Sequence, residues 1–160
     1  MKYPERKSVR LPGFDYSQAG AYFVTICSYN KKCIFGEIVD ARMHLNKRGF
    51  IIGDVWKSLE SKYTFISLDK WILMPNHIHG IIWLKEENHG RQTLWSVISA
   101  FKVISGSAVR KVLAQEKNLW QRSFYEHIIR DESDLLRIRQ YISDNPCQWH
   151  IDRENPEVGG

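Results

Sequence analysis

Three groups of residues in this chain have the types and spacing to do chemistry. The first lies in Leu73-Met74-Pro75-Asn76-His77-Ile78-His79-Gly80-Ile81-Ile82. Side chains alternate along a strand, so His77 and His79 project from one face while Ile78 points away. Two imidazoles side by side on a rigid strand suit one metal ion. Two ligands do not complete a site, however, and His44, His89, His127 and His150 are scattered without an evident third donor. The second group is Tyr141 and Asn145, four residues apart and hence on one side of a helix. A phenol is a poor nucleophile at neutral pH, with an unperturbed pKa of about 10. It becomes useful against a phosphodiester whose oxygens are held by a divalent metal, and an asparagine carbonyl can help to hold that metal. The third group is Leu119-Trp120-Gln121-Arg122-Ser123-Phe124-Tyr125-Glu126-His127-Ile128-Ile129-Arg130, aromatic and basic together, which suits stacking on unpaired bases and contacts to phosphates.

Each group alone has an ordinary structural explanation. A His-x-His on a strand is usually a pair of core or surface histidines. A tyrosine at the rim of an apolar stripe packs, and an asparagine before a proline caps a helix. An aromatic strand with exposed arginines needs no ligand.

The elements that must position these groups follow from periodicity. Gly20 to Ser28 reads as a central strand, and Cys33 to Leu45 as a strand or hairpin. Asn46 can cap a helix whose apolar positions are Phe50, Ile51, Val55 and Leu59. Phe65 to Met74 is the next strand, Pro75-Asn76 a tight turn, and His77 to Leu84 the returning strand. A second helix starts at Thr93 with Leu94, Val97, Ile98 and Phe101 on one stripe, and Gly106-Ser107 is expected to interrupt it. Trp120 to Arg130 holds a short strand. The acidic turn Asp131-Glu132-Ser133-Asp134 opens a third helix that must end near Pro146, with Leu135, Ile138 and Ile142 as its buried stripe. This pattern gives an α+β fold, an antiparallel sheet with helices on one face. The expected organisation is one domain over residues 1–160: a basic arm at 1–19, a core at 20–146, and a tail at 147–160 that ends loosely.

Composition narrows the class. The chain is 43% hydrophobic and 12% aromatic, with six Trp, so a folded core is expected. No apolar run reaches the length of a membrane span and the N-terminus lacks a signal-peptide core, which makes the cytoplasm the expected location. Cys27, Cys33 and Cys147 are odd in number and unpaired in spacing, against a disulfide framework or a cysteine zinc site. The net charge is +5 with a pI near 9.1. The first 48 residues hold nine Lys and Arg against four Asp and Glu, which accounts for the whole surplus. A basic face of this kind, with Arg10 in the arm, suggests a polyanionic partner, most simply nucleic acid.

The three groups taken together, Met74-Pro75-Asn76-His77-Ile78-His79, then Trp120 to Arg130, then Tyr141-Ile142-Ser143-Asp144-Asn145-Pro146, resemble the single-tyrosine HUH transposases (His-hydrophobic-His), especially their REP-associated tyrosine transposase branch. The resemblance covers about residues 20–146. It implies a ferredoxin-like sheet with the histidines on a central strand. By the same resemblance His77 and His79 bind Mg²⁺ or Mn²⁺, Asn145 is the third ligand, and Tyr141 is the catalytic nucleophile. The implied activity is that of a metal-dependent single-stranded DNA endonuclease and strand transferase acting beside hairpins through a 5′-phosphotyrosine. Arg10, Arg122, His127 and Arg130 are the expected DNA contacts. A ligand set with two nitrogens favours Mn²⁺ over Mg²⁺. The alternative is a catalytically inactive or domesticated regulator that binds hairpin DNA. A monomer and a homodimer both remain open, with the tyrosine reaching the histidines of its own chain or of a partner.

Overall fold

The computed structural model describes residues 19–86, 92–114 and 118–158. Arg10 and most of the expected arm therefore lie outside the described residues.

Four antiparallel strands form the main sheet: β1 (Gly20–Cys27), β4 (Ile66–Met74), β5 (His77–Leu84) and β6 (Tyr125–Ile129), in the order β4-β5-β1-β6. A separate hairpin, β2 (Gly36–Val39) and β3 (Arg42–Leu45), turns at Asp40 and Ala41, which both take the positive φ of a tight two-residue hairpin turn. Three helices complete the fold: α1 (Lys47–Lys62), α2 (Leu94–Val112) and α3 (Glu132–Asp144). The cap expected at Asn46 is present, its side chain accepting the Gly49 N–H at 2.9 Å. Thr93 and Asp131 cap α2 and α3 in the same way, accepting the N–H groups of Ser96 and Asp134.

The α+β, ferredoxin-like antiparallel sheet expected from the sequence is observed, but the expectation that its helices share one face is corrected. Helices α1 and α2 pack on the face carrying Tyr22, Val24, Ile26, Ile78 and Ile82. Helix α3 lies on the other face, its Leu135, Ile138 and Ile142 against Ala21, Phe23 and Ile81. The reason is in the two central strands. Both are apolar at odd and even positions alike, so each face needs a cover. Each large aliphatic side chain of the α3 stripe stabilises this layer by roughly 1.5–3 kcal/mol.

Three smaller expectations are also corrected. The buried stripe of α1 is Ile52, Trp56 and Leu59, with Phe50 facing solvent. That rotation follows from Gly80 on β5, which leaves room for the Trp56 indole: a Cβ there would stand 2.4 Å from Trp56 Cζ2. Helix α2 runs through Gly106-Ser107 without a break, because Phe101, Ser105 and Val109 around it are buried and hold it in place. The tail is not loose. A 3-10 segment over Pro146–Ile151 leads into Asp152, Glu154 and Asn155, all buried. Local bonds fix the turn: Asp152 Oδ1 accepts the Glu154 N–H at 2.8 Å, and the Asn155 amide donates to the Trp149 carbonyl at 3.0 Å.

The contact at Gly80 is testable. Gly80→Val is expected to destabilise the fold by about 1–3 kcal/mol through overpacking. Gly53→Ala, whose Cβ would stand 3.6 Å from Trp71, is expected to be neutral or to stabilise by up to ~1 kcal/mol. Urea titrations of both variants check this contrast.

Candidate active site

The register of the sheet decides what surrounds the two histidines. On β5, His77 stands opposite Cys27 and His79 opposite Thr25 of β1, all on the face that α3 covers. Both rings are buried. Their Nε2 atoms converge to 3.0 Å, and their Nδ1 atoms point outward to fixed partners. Asn76 Oδ1 lies 2.8 Å from His77 Nδ1, and Thr25 Oγ1 lies 2.7 Å from His79 Nδ1.

These partners set the protonation pattern. The Asn76 amide nitrogen donates to the carbonyls of Lys31 and Glu154, so its oxygen must be the atom facing His77. An amide oxygen only accepts, so His77 carries its proton on Nδ1 and offers a lone pair at Nε2. The Thr25 hydroxyl can donate or accept, so His79 can hold its proton on either nitrogen. With its Nε2 protonated, His79 donates to His77. With the proton on Nδ1, both Nε2 lone pairs converge. Threonine and asparagine thus orient the imidazoles as outer partners orient metal-binding histidines.

Helix α3 of the same chain brings the tyrosine. Tyr141 Oη lies 3.4 Å from His79 Nε2, and its ring packs edge-on to Phe23, which stacks on His79 with centroids 5.3 Å apart. Tyr141 and the histidines therefore meet in cis. Asn145, one turn further, ends α3 and is buried. Its Oδ1 has no hydrogen-bond partner. A buried, unpartnered acceptor costs about 1–3 kcal/mol, a cost that a cation can relieve. Tyr141, Asn145 and Asp152 line one cavity of about 120 Å³ with Gln148, Ile151 and Arg153. Asp152 closes the group: its Oδ2 is 4.0 Å from His77 Nε2. The ligand atoms of His77, His79 and Asp152 all lie within 4.8 Å of one another.

This donor set fits a divalent metal. Nitrogens 3.0 Å apart subtend roughly a right angle at an ion about 2.1 Å from each, as neighbouring positions of an octahedron do. The amide oxygen of Asn145 and a carboxylate nearby suit Mg²⁺ or Mn²⁺ rather than a thiol-seeking ion.

A bulge in β4 fixes the helix that carries the tyrosine. Leu68 pairs with Ile82 and Trp71 with Gly80, so Asp69 and Lys70 both stand opposite Ile81. Asp69 is thereby turned to accept two hydrogen bonds from Arg139 of α3, at 2.9 and 2.6 Å, and one from Trp83 Nε1. The Arg139 guanidinium holds the Asp69 carboxyl at about 2, against the ordinary 3.8. A carboxylate with a depressed folded pKa contributes stability above its unfolded pKa and loses it as pH falls through the folded value. We expect wild type to lose this contribution between about pH 4 and pH 2, and Asp69→Asn to lack that part of the acid transition. Because Arg139 is partly exposed, the effect is on the order of 1 kcal/mol. Acid titration of the two proteins followed by circular dichroism measures it.

The expected DNA contacts fall in different places. Arg122 is exposed on the segment entering β6, next to a cavity of about 270 Å³ lined by Thr25, Cys27, Lys31, Gln121, Ser123, Phe124 and Tyr125. Lys102 of α2 holds that segment by donating to the carbonyls of Gln121, Arg122 and Ser123. Its burial lowers the ammonium pKa to about 8. Arg130 is exposed just past the other end of β6, roughly 17 Å along the strand from Tyr125. The His127 Nε2 lies 2.7 Å from Asp134 Oδ2, while the other oxygen of that carboxylate, Oδ1, accepts from Arg137.

Sequence reasoning did not find Thr25, Asn76, Asp152 or the Asp69–Arg139 pair. Asn76 was legible as a turn residue and nothing more. Thr25 depends on strand register, and the other three on the packing of α3 and the tail, none of which leaves a local signal. No described helix is long and apolar enough to cross a membrane.

Comparison with known proteins gives the family and supports the fold. A Haemophilus influenzae protein of unassigned function is 36% identical, over 92% of each chain. The REP-associated tyrosine transposase of Escherichia coli is 30% identical over 51% of this chain, a match that spans 44% of that protein. A solved REP-associated tyrosine transposase bound to a REP hairpin shares the fold, with a TM-score of 0.62 at 19% identity, over 92% of this chain and 74% of that one. The profile of the IS200-like transposases matches residues 15–145. With nearly the whole sheet, both histidines, Tyr141 and Asn145 inside that match, the chain belongs to the IS200-like, single-tyrosine transposase family.

Proposed function

We propose that this protein cuts and rejoins single-stranded DNA beside hairpins, with Tyr141 as the nucleophile and His77, His79 and Asn145 as metal ligands. The observation that carries this reading is the Tyr141 phenol 3.4 Å from the imidazole nitrogen that converges with its neighbour. A reactive group and a metal-binding pair on different elements have no structural need to share one point. The hairpin bound by the REP-associated structural neighbour supports the substrate class.

The chain's residues then have distinct tasks. Thr25 and Asn76 aim the imidazoles. Phe23 and His79 hold the phenol ring in place, and Asp69 with Arg139 holds its helix against the sheet. A bound Mg²⁺ or Mn²⁺ supplies charge to the phosphate oxygens and to the departing 3′-oxygen. Tyr141 Oη attacks phosphorus as its proton passes to solvent. The P–O3′ bond breaks, and the 3′-oxygen takes up a proton. The DNA 5′ end is left on the tyrosine as a phosphodiester. One such ester replaces another, so a 3′-OH returning to the site can reverse the attack without an external energy source. Arg122, exposed on the segment entering β6 between two residues that line the cavity at Thr25 and Tyr125, is proposed to hold the backbone of the strand entering the site. Contacts at Arg130 and His127, toward the other end of β6, would serve the flanking hairpin. Arg10, outside the described residues, is proposed from its charge alone as a further contact to the DNA backbone. Because the histidines and Tyr141 meet within one chain, a monomer suffices for this reading, and the cytoplasm is its proposed location.

The test is incubation of a single-stranded oligonucleotide carrying a hairpin with its native flank, with Mn²⁺ and in EDTA. Metal-dependent cleavage leaving a free 3′-OH and a protein-blocked 5′ end is expected. Salt-sensitive binding with no cleavage under Mg²⁺ or Mn²⁺ would instead assign the chain as a hairpin-binding regulator.

A further inference from the structure

The segment after α3 places a carboxylate where the family comparison and the sequence pattern named none. We propose that Asp152 is a protein ligand of the metal held by His77, His79 and Asn145. This rests on the metal-site reading above and extends it.

Asp152 is buried, and its two oxygens are used differently. Oδ1 accepts the Glu154 N–H at 2.8 Å, the bond that any Asx turn makes. Oδ2 is turned to the histidines, 4.0 Å from His77 Nε2. That nitrogen carries a lone pair, because the His77 proton is held on Nδ1 by Asn76. A carboxylate oxygen and an imidazole lone pair aimed into one space repel each other. A cation between them reverses the sign of that interaction. His79 completes the group, its ligand atom within 4.8 Å of those of His77 and Asp152, and Asp152 also lines the cavity shared with Asn145, whose Oδ1 has no hydrogen-bond partner.

The position of Asp152 is also fixed from beyond. Glu154 is buried at the edge of the sheet, where its carboxylate takes Lys31 Nζ at 3.1 Å and the Cys27 thiol at 3.5 Å. Its backbone carbonyl takes the Asn76 amide at 2.6 Å. Asn76 therefore bridges His77 and the tail. The group that orients the first imidazole is the group that docks the segment bearing Asp152. Burying a charged carboxylate is costly unless it is paired, and here the pairing sets an adjacent carboxylate beside the two nitrogens.

Two imidazoles, one amide oxygen and one carboxylate leave two positions of an octahedral ion for substrate. The carboxylate also offsets one positive charge and raises the oxygen share, which favours Mn²⁺ and Mg²⁺.

The experiment is a titration of the metal-free full chain with Mn²⁺ alone, free ion being read by electron paramagnetic resonance, for wild type and Asp152→Asn. Asparagine keeps an oxygen to accept the Glu154 N–H, so the metal-free variant is expected to melt with wild type by circular dichroism. Its Mn²⁺ Kd is expected to rise at least about tenfold, by loss of a charged ligand. Binding within twofold of wild type overturns the assignment of Asp152 alone. A weaker Kd accompanied by a clearly lower metal-free Tm would place Asp152 in the fold and also overturn it. Absence of Mn²⁺ binding by wild type overturns the metal-site reading itself, and this inference with it.

Discussion

Tyr141→Phe is expected to abolish the covalent protein–DNA adduct and to reduce cleavage of hairpin-flanked single-stranded DNA by roughly 10³-fold or more. The substitution is nearly ideal for assigning the oxygen. Phenylalanine keeps the ring that packs edge-on to Phe23 at 6.0 Å and against His79 at 5.2 Å. Only Oη is lost, together with its 3.4 Å contact to His79. Melting temperature and Mn²⁺ affinity are therefore expected to stay at wild-type values, and the loss to fall on the chemical step. Any residual cleavage would come from water and would leave a free 5′-phosphate. Gel mobility under denaturing conditions separates the two products.

The second large effect is expected for His77→Ala. This change removes one of the two convergent Nε2 donors and leaves Asn76 Oδ1 without the imidazole that it orients. Loss of outer-shell partners alone costs metal sites about 10–100-fold in affinity, so loss of a ligand is expected to cost more than about 100-fold. Cleavage at low Mn²⁺ should fall below detection and return in part at high Mn²⁺. Hairpin DNA binding measured in EDTA should be unchanged, because no phosphate contact is assigned to His77. A parallel drop in DNA affinity would show that the histidines hold the strand directly. Thr25 and Asn76 give each Nδ1 of the buried pair a partner, and both Nε2 atoms are thereby aimed at one point.

What could be read from the sequence was what depends on period and local chemistry. The alternation at His77 and His79, the stripe Leu135–Ile138–Ile142, the cap at Asn46, the start of α2 at Thr93, and the turn at Pro75-Asn76 all appear where period and local chemistry put them. The family pattern went further and named Tyr141 with Asn145, whose side chains line one cavity. What could not be read depends on one element meeting another. The α1 stripe was misplaced because Gly80, on a different strand, decides where Trp56 can go. Helices on both faces follow from the two-sided burial of β1 and β5, which the alternation of one strand alone does not carry to the layers. The tail was read as loose since prolines and scattered charges carry no period. In the fold those charges are the buried Asp152 and Glu154, docked on Asn76, Lys31 and Cys27. The partner of His127, Asp134 at the start of α3, is another contact between elements that the sequence does not show.

The central claim is that one phenol oxygen, held beside two convergent imidazoles, carries the DNA strand between its cut and rejoined states. The most direct measurement is to trap the adduct formed with a hairpin oligonucleotide and Mn²⁺, digest it with nuclease and protease, and locate the attached nucleotide by mass spectrometry. A 5′-phosphonucleotide on Tyr141 is the predicted result. Attachment to any other residue, or efficient metal-dependent cleavage with no attached nucleotide, would contradict it.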